Sequence, residues 1–144
     1  MPIDPRSYFA AVPFNQLLDI RLEHADKESA RVTAQARPEF KQEQGVIHGG
    51  LLTILADNAA VYLTLPHLAE EERMTSVEFK MNFLEAGRVG GGPVAATARI
   101  IRAGKRIVVC EATVTQDDRQ LAFGVFTYMR FTPSGKAQAA PGQQ

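Results

Sequence analysis

The chain has 144 residues, 16 basic and 16 acidic side chains, 45% hydrophobic and 22% charged content, values of one soluble globular domain and not of a disordered chain. Neutral charge gives no electrostatic reason to expect nucleic acid or an anionic membrane as partner. The lone cysteine, Cys110, excludes an intramolecular disulfide and fits a reducing, cytoplasmic setting.

The N-terminal MPIDPRSYFAAVPF lacks the long apolar core of a signal peptide. DPRSYFAAV reads as a short helix broken by Pro13, and FNQLL as a turn. IRLEHA and SARVTAQAR read as strands joined at Asp26-Lys27-Glu28; in the second, Ala30, Val32, Ala34 and Ala36 share one face. PEFKQEQGV is a polar loop. It leads into a long apolar helix that Pro66 ends. Thr53, Asp57, Asn58 and Thr64 interrupt that helix, which argues against a membrane span.

After the HLAEEER loop, TSVEFKMNFL, VAATARIIR, RIVVCEATVTQ and QLAFGVFTYMRF read as four more strands, with hairpin tips at RAGKR and DDR. Gly90-Gly91-Gly92-Pro93 precedes a strand, so it is no nucleotide-binding fingerprint and reads as a flexible connector. The order predicts an α+β fold: an antiparallel sheet wrapped around one central helix, with a second subunit covering what remains. One domain is expected over 1–132, followed by a disordered polar tail over 133–144.

Thr53, Asp57 and Thr64 fall near one stripe of the helix, with Asn58 beside it. Asp57 is therefore either solvated, satisfied by local hydroxyls, or held in a drier cleft as nucleophile or general base. His48-Gly49-Gly50 opens the helix, where the first amides lack intrahelical acceptors and glycine lets a ligand approach the backbone; such amides suit a developing oxyanion. Asp57 lies eight residues after Gly49, roughly 12 Å along the axis. One helix cannot bring both groups to one carbonyl; two copies about a twofold axis can. An enzyme built this way is an obligate dimer with paired interface sites.

GVIHGGLLTILADNAA closely resembles the signature of hotdog-fold acyl-CoA thioesterases of the PaaI-like (phenylacetate-pathway type) group, in which an acid follows the histidine by nine residues, as Asp57 follows His48. FNQLLDIRL, SVEFKMNFLEAG and GKRIVVCEATV are similar to the family as well, so that the likeness spans roughly residues 8 to 132. The resemblance implies a hotdog fold, dimers that pair into tetramers, and hydrolysis of acyl-CoA thioesters with neither metal nor cofactor. It implies that the Gly49 amide polarises the carbonyl, next to Gly50, that His48 shapes the turn or contacts the substrate, and that Asp57 of the facing subunit attacks or activates water. Gln42, six residues before His48, stands where a carbonyl- or water-positioning amide is found in relatives. Ser76, with Thr75 as neighbour, matches an assisting hydroxyl.

Arg102, Lys105 and Arg106 at the hairpin tip are candidates for the coenzyme A phosphates or a solvated turn; Arg88 is a weaker candidate. Phe14 and Asn15 border the acyl pocket in the family pattern, or serve packing and turn formation. Cys110 shares a strand face with Val108, Ala112 and Val114 and reads as a core thiol. Tyr62 reads as core. His24 and His67 have no partners at metal-ligand spacing, and no serine sits in a nucleophile-elbow sequence. The expected function is hydrolysis of a small or medium acyl- or aryl-CoA thioester. The rivals are a non-catalytic acyl-CoA binder or sensor, and an enoyl-CoA hydratase or dehydratase on the same fold, whose Asp/His pairing His48 fits poorly.

Overall fold

A computed structural model describes residues 3–134; the tail expected over 133–144 lies outside the described residues from 135 onward. Asp4 starts α1 (Pro5–Ala10) by accepting from the Arg6 and Ser7 amides at 3.1 and 3.2 Å, which satisfies donors that the first turn leaves free. FNQLL is not a turn. Pro13 occupies the first position of a second short helix, α2 (Pro13–Leu17), where its fixed φ suits the helix and its missing amide needs no acceptor.

The strands are β1 (Arg21–Ala25), β2 (Ser29–Ala34), β3 (Arg73–Phe83), β4 (Val94–Ala103), β5 (Ile107–Gln116) and β6 (Arg119–Phe131). They form one sheet in the order β1-β2-β4-β5-β6-β3, with every pairing antiparallel. Asp117 and Asp118, at φ 48° and 60°, make the two-residue turn between β5 and β6; left-handed geometry at both positions matches the strand twist. The helix α3 (Gly49–Thr64) lies across the concave face, and a 3-10 turn at Leu65–His67 follows it. This is the expected hotdog arrangement.

Alternation decides what meets the helix. Ala30, Val32 and Ala34 of β2, Val94, Ala96 and Ala98 of β4, Val108, Cys110, Ala112 and Val114 of β5, and Ala122, Phe126 and Tyr128 of β6 are all buried. They meet Leu51, Leu52, Leu55, Ala56, Ala59, Ala60 and Leu63 of α3. Alanine on both surfaces allows close approach, and each fully buried leucine, such as Leu55 or Leu63, contributes about 1.5–3 kcal/mol.

Two further expectations are corrected. Thr64 does not belong to a half-wet stripe: it is fully buried, donates to the Ala60 carbonyl at 2.9 Å and lies 3.5 Å from Cys110 Sγ. The glycine run 90–92 is no loose connector. Gln116, 1% exposed, accepts from the Arg88 amide and donates to the carbonyls of Arg88 and Gly92 at 2.7–2.9 Å, so a side chain at the end of β5 clamps the loop before β4. Among the described residues no helix is long and apolar enough to cross a membrane.

Candidate active site

Where α3 begins, the HGG triplet has a local explanation. His48 caps the helix: its Nδ1 accepts from the Gly50 amide at 2.8 Å, so the ring proton resides on Nε2. A Cβ at residue 50 would lie 2.8 Å from that nitrogen, and one at residue 49 would lie 3.0 Å from the Phe83 ring. Both glycines therefore allow close packing around the first turn. The Leu51 amide donates to the His48 carbonyl at 3.0 Å, whereas the Gly49 amide has no acceptor among the described residues. It is the free donor at the positive end of the helix dipole.

Two hollows flank this end. One, of about 320 Å³, is lined by His48, Gly50, Leu51 and Ile54 together with Leu18, Glu39, Phe40 and Lys41. The other, of about 310 Å³, lies between Val46, Ile47 and Leu52 and the segment Phe83–Gly87. Gln42, in the loop before the helix, accepts the Gln44 amide with its side-chain oxygen, which leaves its amide NH₂ as a donor. Phe14 is half-exposed. Asn15 is buried and donates to the Tyr62 hydroxyl at 3.2 Å. Neither lines the hollow beside His48; Leu18 of the same segment does.

Asp57 is half-buried on the side of α3 that the sheet leaves uncovered, along with Thr53, Ile54, Asn58 and Val61. Thr53 and Asn58 bond back to the carbonyls of Gly49 and Ile54, both at 3.0 Å, so neither satisfies the aspartate. Tyr128 of β6 does. Its hydroxyl donates to Asp57 Oδ1 at 2.8 Å. Desolvation raises the carboxyl above the ordinary aspartate range, and the tyrosine hydrogen bond partly opposes that rise.

Tyr128 was not among the sequence-derived candidates. Its signal was available: it stands in phase with the inward-facing Ala122, Gly124 and Phe126, and a buried tyrosine hydroxyl requires a partner. Ser76 pairs directly with Tyr128 across the β3–β6 ladder, whereas Thr75 pairs with Met129. Directly opposed residues share a face, so Ser76 lies on the Asp57 side and Thr75 on the outer side. Beyond a bulge after Ser76, Phe79 pairs with Phe126 and stacks on it at 5.5 Å between ring centroids, and Phe83 pairs with Ala122. Phe79 and Phe83 face inward yet are 53% and 57% exposed, because α3 does not extend over the edge strand β3.

The exposed Arg102, Lys105 and Arg106 surround the β4–β5 tip, adjacent to the Val108–Tyr128 pair of the ladder and so at the carboxylate end of the sheet. Arg88 is exposed at a bridge to Val46. Cys110 is buried, with its thiol pushed up by burial. Tyr62 is buried against Phe9. His24 meets the Ser29 hydroxyl, and His67 the Lys27 carbonyl. Among the described residues no group of three or more His, Cys, Asp or Glu side chains could hold a metal ion.

A free amide at a helix start, a desolvated carboxylate and an open apolar face define a site suited to acyl transfer. Residues 44–123 match the family model described as the thioesterase superfamily (4HBT), and the chain belongs to that superfamily. It is 28% identical over 134 residues to the medium/long-chain acyl-CoA thioesterase YigI of Escherichia coli K12, with 82% of this chain and 85% of that protein covered. Among solved structures, a thioesterase family protein from Silicibacter pomeroyi superposes with a TM-score of 0.81 at 24% identity, covering 90% of this chain and 96% of that one. The E. coli PaaI protein, from the phenylacetic acid degradation operon, superposes with a TM-score of 0.80 at 21% identity over 88% and 89% of the two chains. These two likenesses concern the fold.

Proposed function

We propose that this protein is an acyl-CoA thioesterase, cleaving a small or medium acyl- or aryl-CoA to the free acid and coenzyme A at sites shared between two subunits. One observation supports it above the others: Asp57 is half-buried, bonded through one oxygen to Tyr128, and faces the uncovered side of the helix, with partial desolvation raising its carboxyl. A carboxylate so desolvated is a stronger base and nucleophile than a solvated one.

In this reading the Gly49 amide of one protomer donates to the thioester oxygen, and Asp57 of the other acts on the carbonyl carbon, directly or through a water that it deprotonates. In the water route the tetrahedral oxyanion stays on the amide until the C–S bond breaks, and the leaving thiolate takes the proton that Asp57 received. In direct attack the C–S bond breaks to give an acyl–Asp57 anhydride and thiolate; a water then cleaves the anhydride, its oxygen going to the acid and its proton to the thiolate. Gln42 and Ser76 orient the carbonyl and the water, and His48 holds the turn. The hollow beside His48 takes apolar substrate, with Gly50 at its wall and Leu18, of the same segment as Phe14 and Asn15, closing one side. Arg102, Lys105 and Arg106 meet the nucleotide phosphates, with Thr75 nearby. The YigI relative, named for medium and long acyl chains, supports the substrate class. The experiment is a panel of acyl-CoA thioesters with a thiol reagent: free coenzyme A release is expected, while tight binding without release, or hydration of an enoyl-CoA, would contradict the reading.

The dimer follows from the edge. β3 is 11 residues long and almost wholly exposed, with Val77, Phe79 and Phe83 bare, and an apolar edge of that length calls for a partner strand. Antiparallel pairing with a second β3 about a twofold at Phe79 sets each Phe83, against which Gly49 packs, across from the partner's Met74–Ser76 segment, whose Ser76 pairs with the Tyr128 that holds Asp57. Dimers pair into a homotetramer through the outer face, where Ile107, Val109, Phe123 and Val125 supply apolar surface, in a cytoplasmic setting. Phe79→Glu places two like charges across the twofold. By light scattering the variant is expected to be monomeric, with hydrolysis lost; an active dimer would contradict this interface.

A further inference from the structure

We infer that Tyr128 is a positioning residue for this hydrolysis: by donating to Oδ1 of Asp57 it fixes the carboxyl plane and leaves Oδ2 as the single oxygen that meets the thioester or its water. The inference rests on the thioesterase reading above and adds a residue to it.

The geometry is one-sided. Tyr128 is 1% exposed and clamped between Val108 and Ser76 on the ladder, so its hydroxyl cannot follow a moving carboxylate. The bond to Oδ1 is 2.8 Å, with a longer contact of 3.4 Å to the Asp57 carbonyl. Oδ2 accepts nothing among the described residues. An aspartate otherwise turns freely about its last torsion, and a nucleophile or base must be held within a fraction of an ångström of its target.

Tyr128 remains a donor throughout. Burial and the neighbouring Asp57 charge push its hydroxyl far above the tyrosine range. Little else titrates near the pair. The inward faces of β2 and β4 present alanine, valine and isoleucine, β1 presents Leu22 and Ala25, and α1 presents Phe9. β5 presents the Cys110 thiol, bonded to Thr64, and β3 presents Ser76 and Met74. Arg130, two positions beyond Tyr128, is paired with Glu72 at 2.5 Å. His67 turns to the Lys27 carbonyl, and His48 is nine residues away along the chain. Because Tyr128 hydrogen-bonds the charged form, it lowers the pH at which Asp57 becomes active.

The test is Tyr128→Phe, which removes one oxygen and keeps the ring. Expected is a fall in kcat of about tenfold or more, the scale of a hydrogen bond to a charged group, with KM within about twofold and the acid limb of kcat moved to higher pH. Incorporating difluorotyrosine at 128, a stronger donor of nearly the same shape, moves the limb to lower pH; this second variant decides the matter should the first fold poorly. The Asp57 carboxyl, followed by carbon NMR, titrates in the same two directions. With Asp57→Asn already in place, Tyr128→Phe causes no further loss. Unchanged kcat, acid limb and Asp57 titration in these variants would overturn the assignment. Wild type that hydrolyses no thioester would instead overturn the functional reading, and the NMR titration keeps the two failures apart.

Discussion

Asp57→Asn is expected to lower thioester hydrolysis by about 10³-fold and, at neutral pH, to raise the melting temperature by about 2–5 °C. Both effects have one cause. The folded protein draws this carboxyl out of water and raises it above its unfolded value, so its contribution to stability is fully present only below the ordinary carboxylate range. That contribution is lost as pH rises through the folded value. At neutral pH the charged form is held against its preference for water. Asparagine removes the charge, keeps the shape and still accepts from Tyr128. The stability gap between variant and wild type should therefore narrow on acidification, where wild type becomes protonated and neutral too. Wild-type activity should fall over the same acid range, because the ionised form does the work. Paired calorimetric and kinetic pH series check both. A variant that is less stable than wild type at neutral pH, or that retains its rate, would show Asp57 to be an ordinary surface carboxylate.

Gly49→Pro is the second large expected effect, a fall in kcat of about 10²–10³-fold, as for removal of one oxyanion donor. Deleting a backbone amide usually breaks the structure around it; here it need not. Gly49 is the first residue of α3, where proline is tolerated because that N–H has no intrahelical partner. His48 already has φ −61° and ψ 130°, inside the extended region that a following proline requires. A Cβ at this position would lie 3.0 Å from the Phe83 ring, so the steric cost needs its own control. Gly49→Ala adds the same first carbon and keeps the N–H, so it reports the steric part alone and should stay within about tenfold of wild type. Equal losses in the two variants would mean that crowding at Phe83, not the amide, had been measured.

The sequence made the architecture plain, and it marked Asp57 and the His48-Gly49-Gly50 helix start as candidates. Strands whose inward positions are small or β-branched, such as Ala30-Val32-Ala34 and Val108-Cys110-Ala112-Val114, declare their face by alternation, and Asp57 declares itself as a charge within an apolar helix. What stayed hidden depends on contacts between distant elements. Tyr128 reaches Asp57 across 71 positions, and nothing local to YMRF says which helix turn it faces. Gln116 sits at the last step of β5, where exposed and inward positions look alike, and its clamp turns the glycine run into a docked loop. Pro13 marks a break only when taken alone; as a first helical residue it begins α2. Thr64 lies close to Asp57 on the helical wheel, but at its turn of the helix Cys110 of β5 lies against it and it is fully buried.

The central claim is the convergence of two chains on one reacting carbon, and subunit mixing tests it most directly. Asp57→Ala and Gly49→Pro homodimers should each retain about a hundredth of wild-type turnover or less. In a mixed dimer, one site unites the intact glycine of the first chain with the intact acid of the second, while the other site lacks both. Random exchange of equal amounts makes half of the dimers mixed, so recovery to about a quarter of wild-type activity is predicted. No recovery, with mixed dimers verified by native mass spectrometry, would contradict a site shared between subunits.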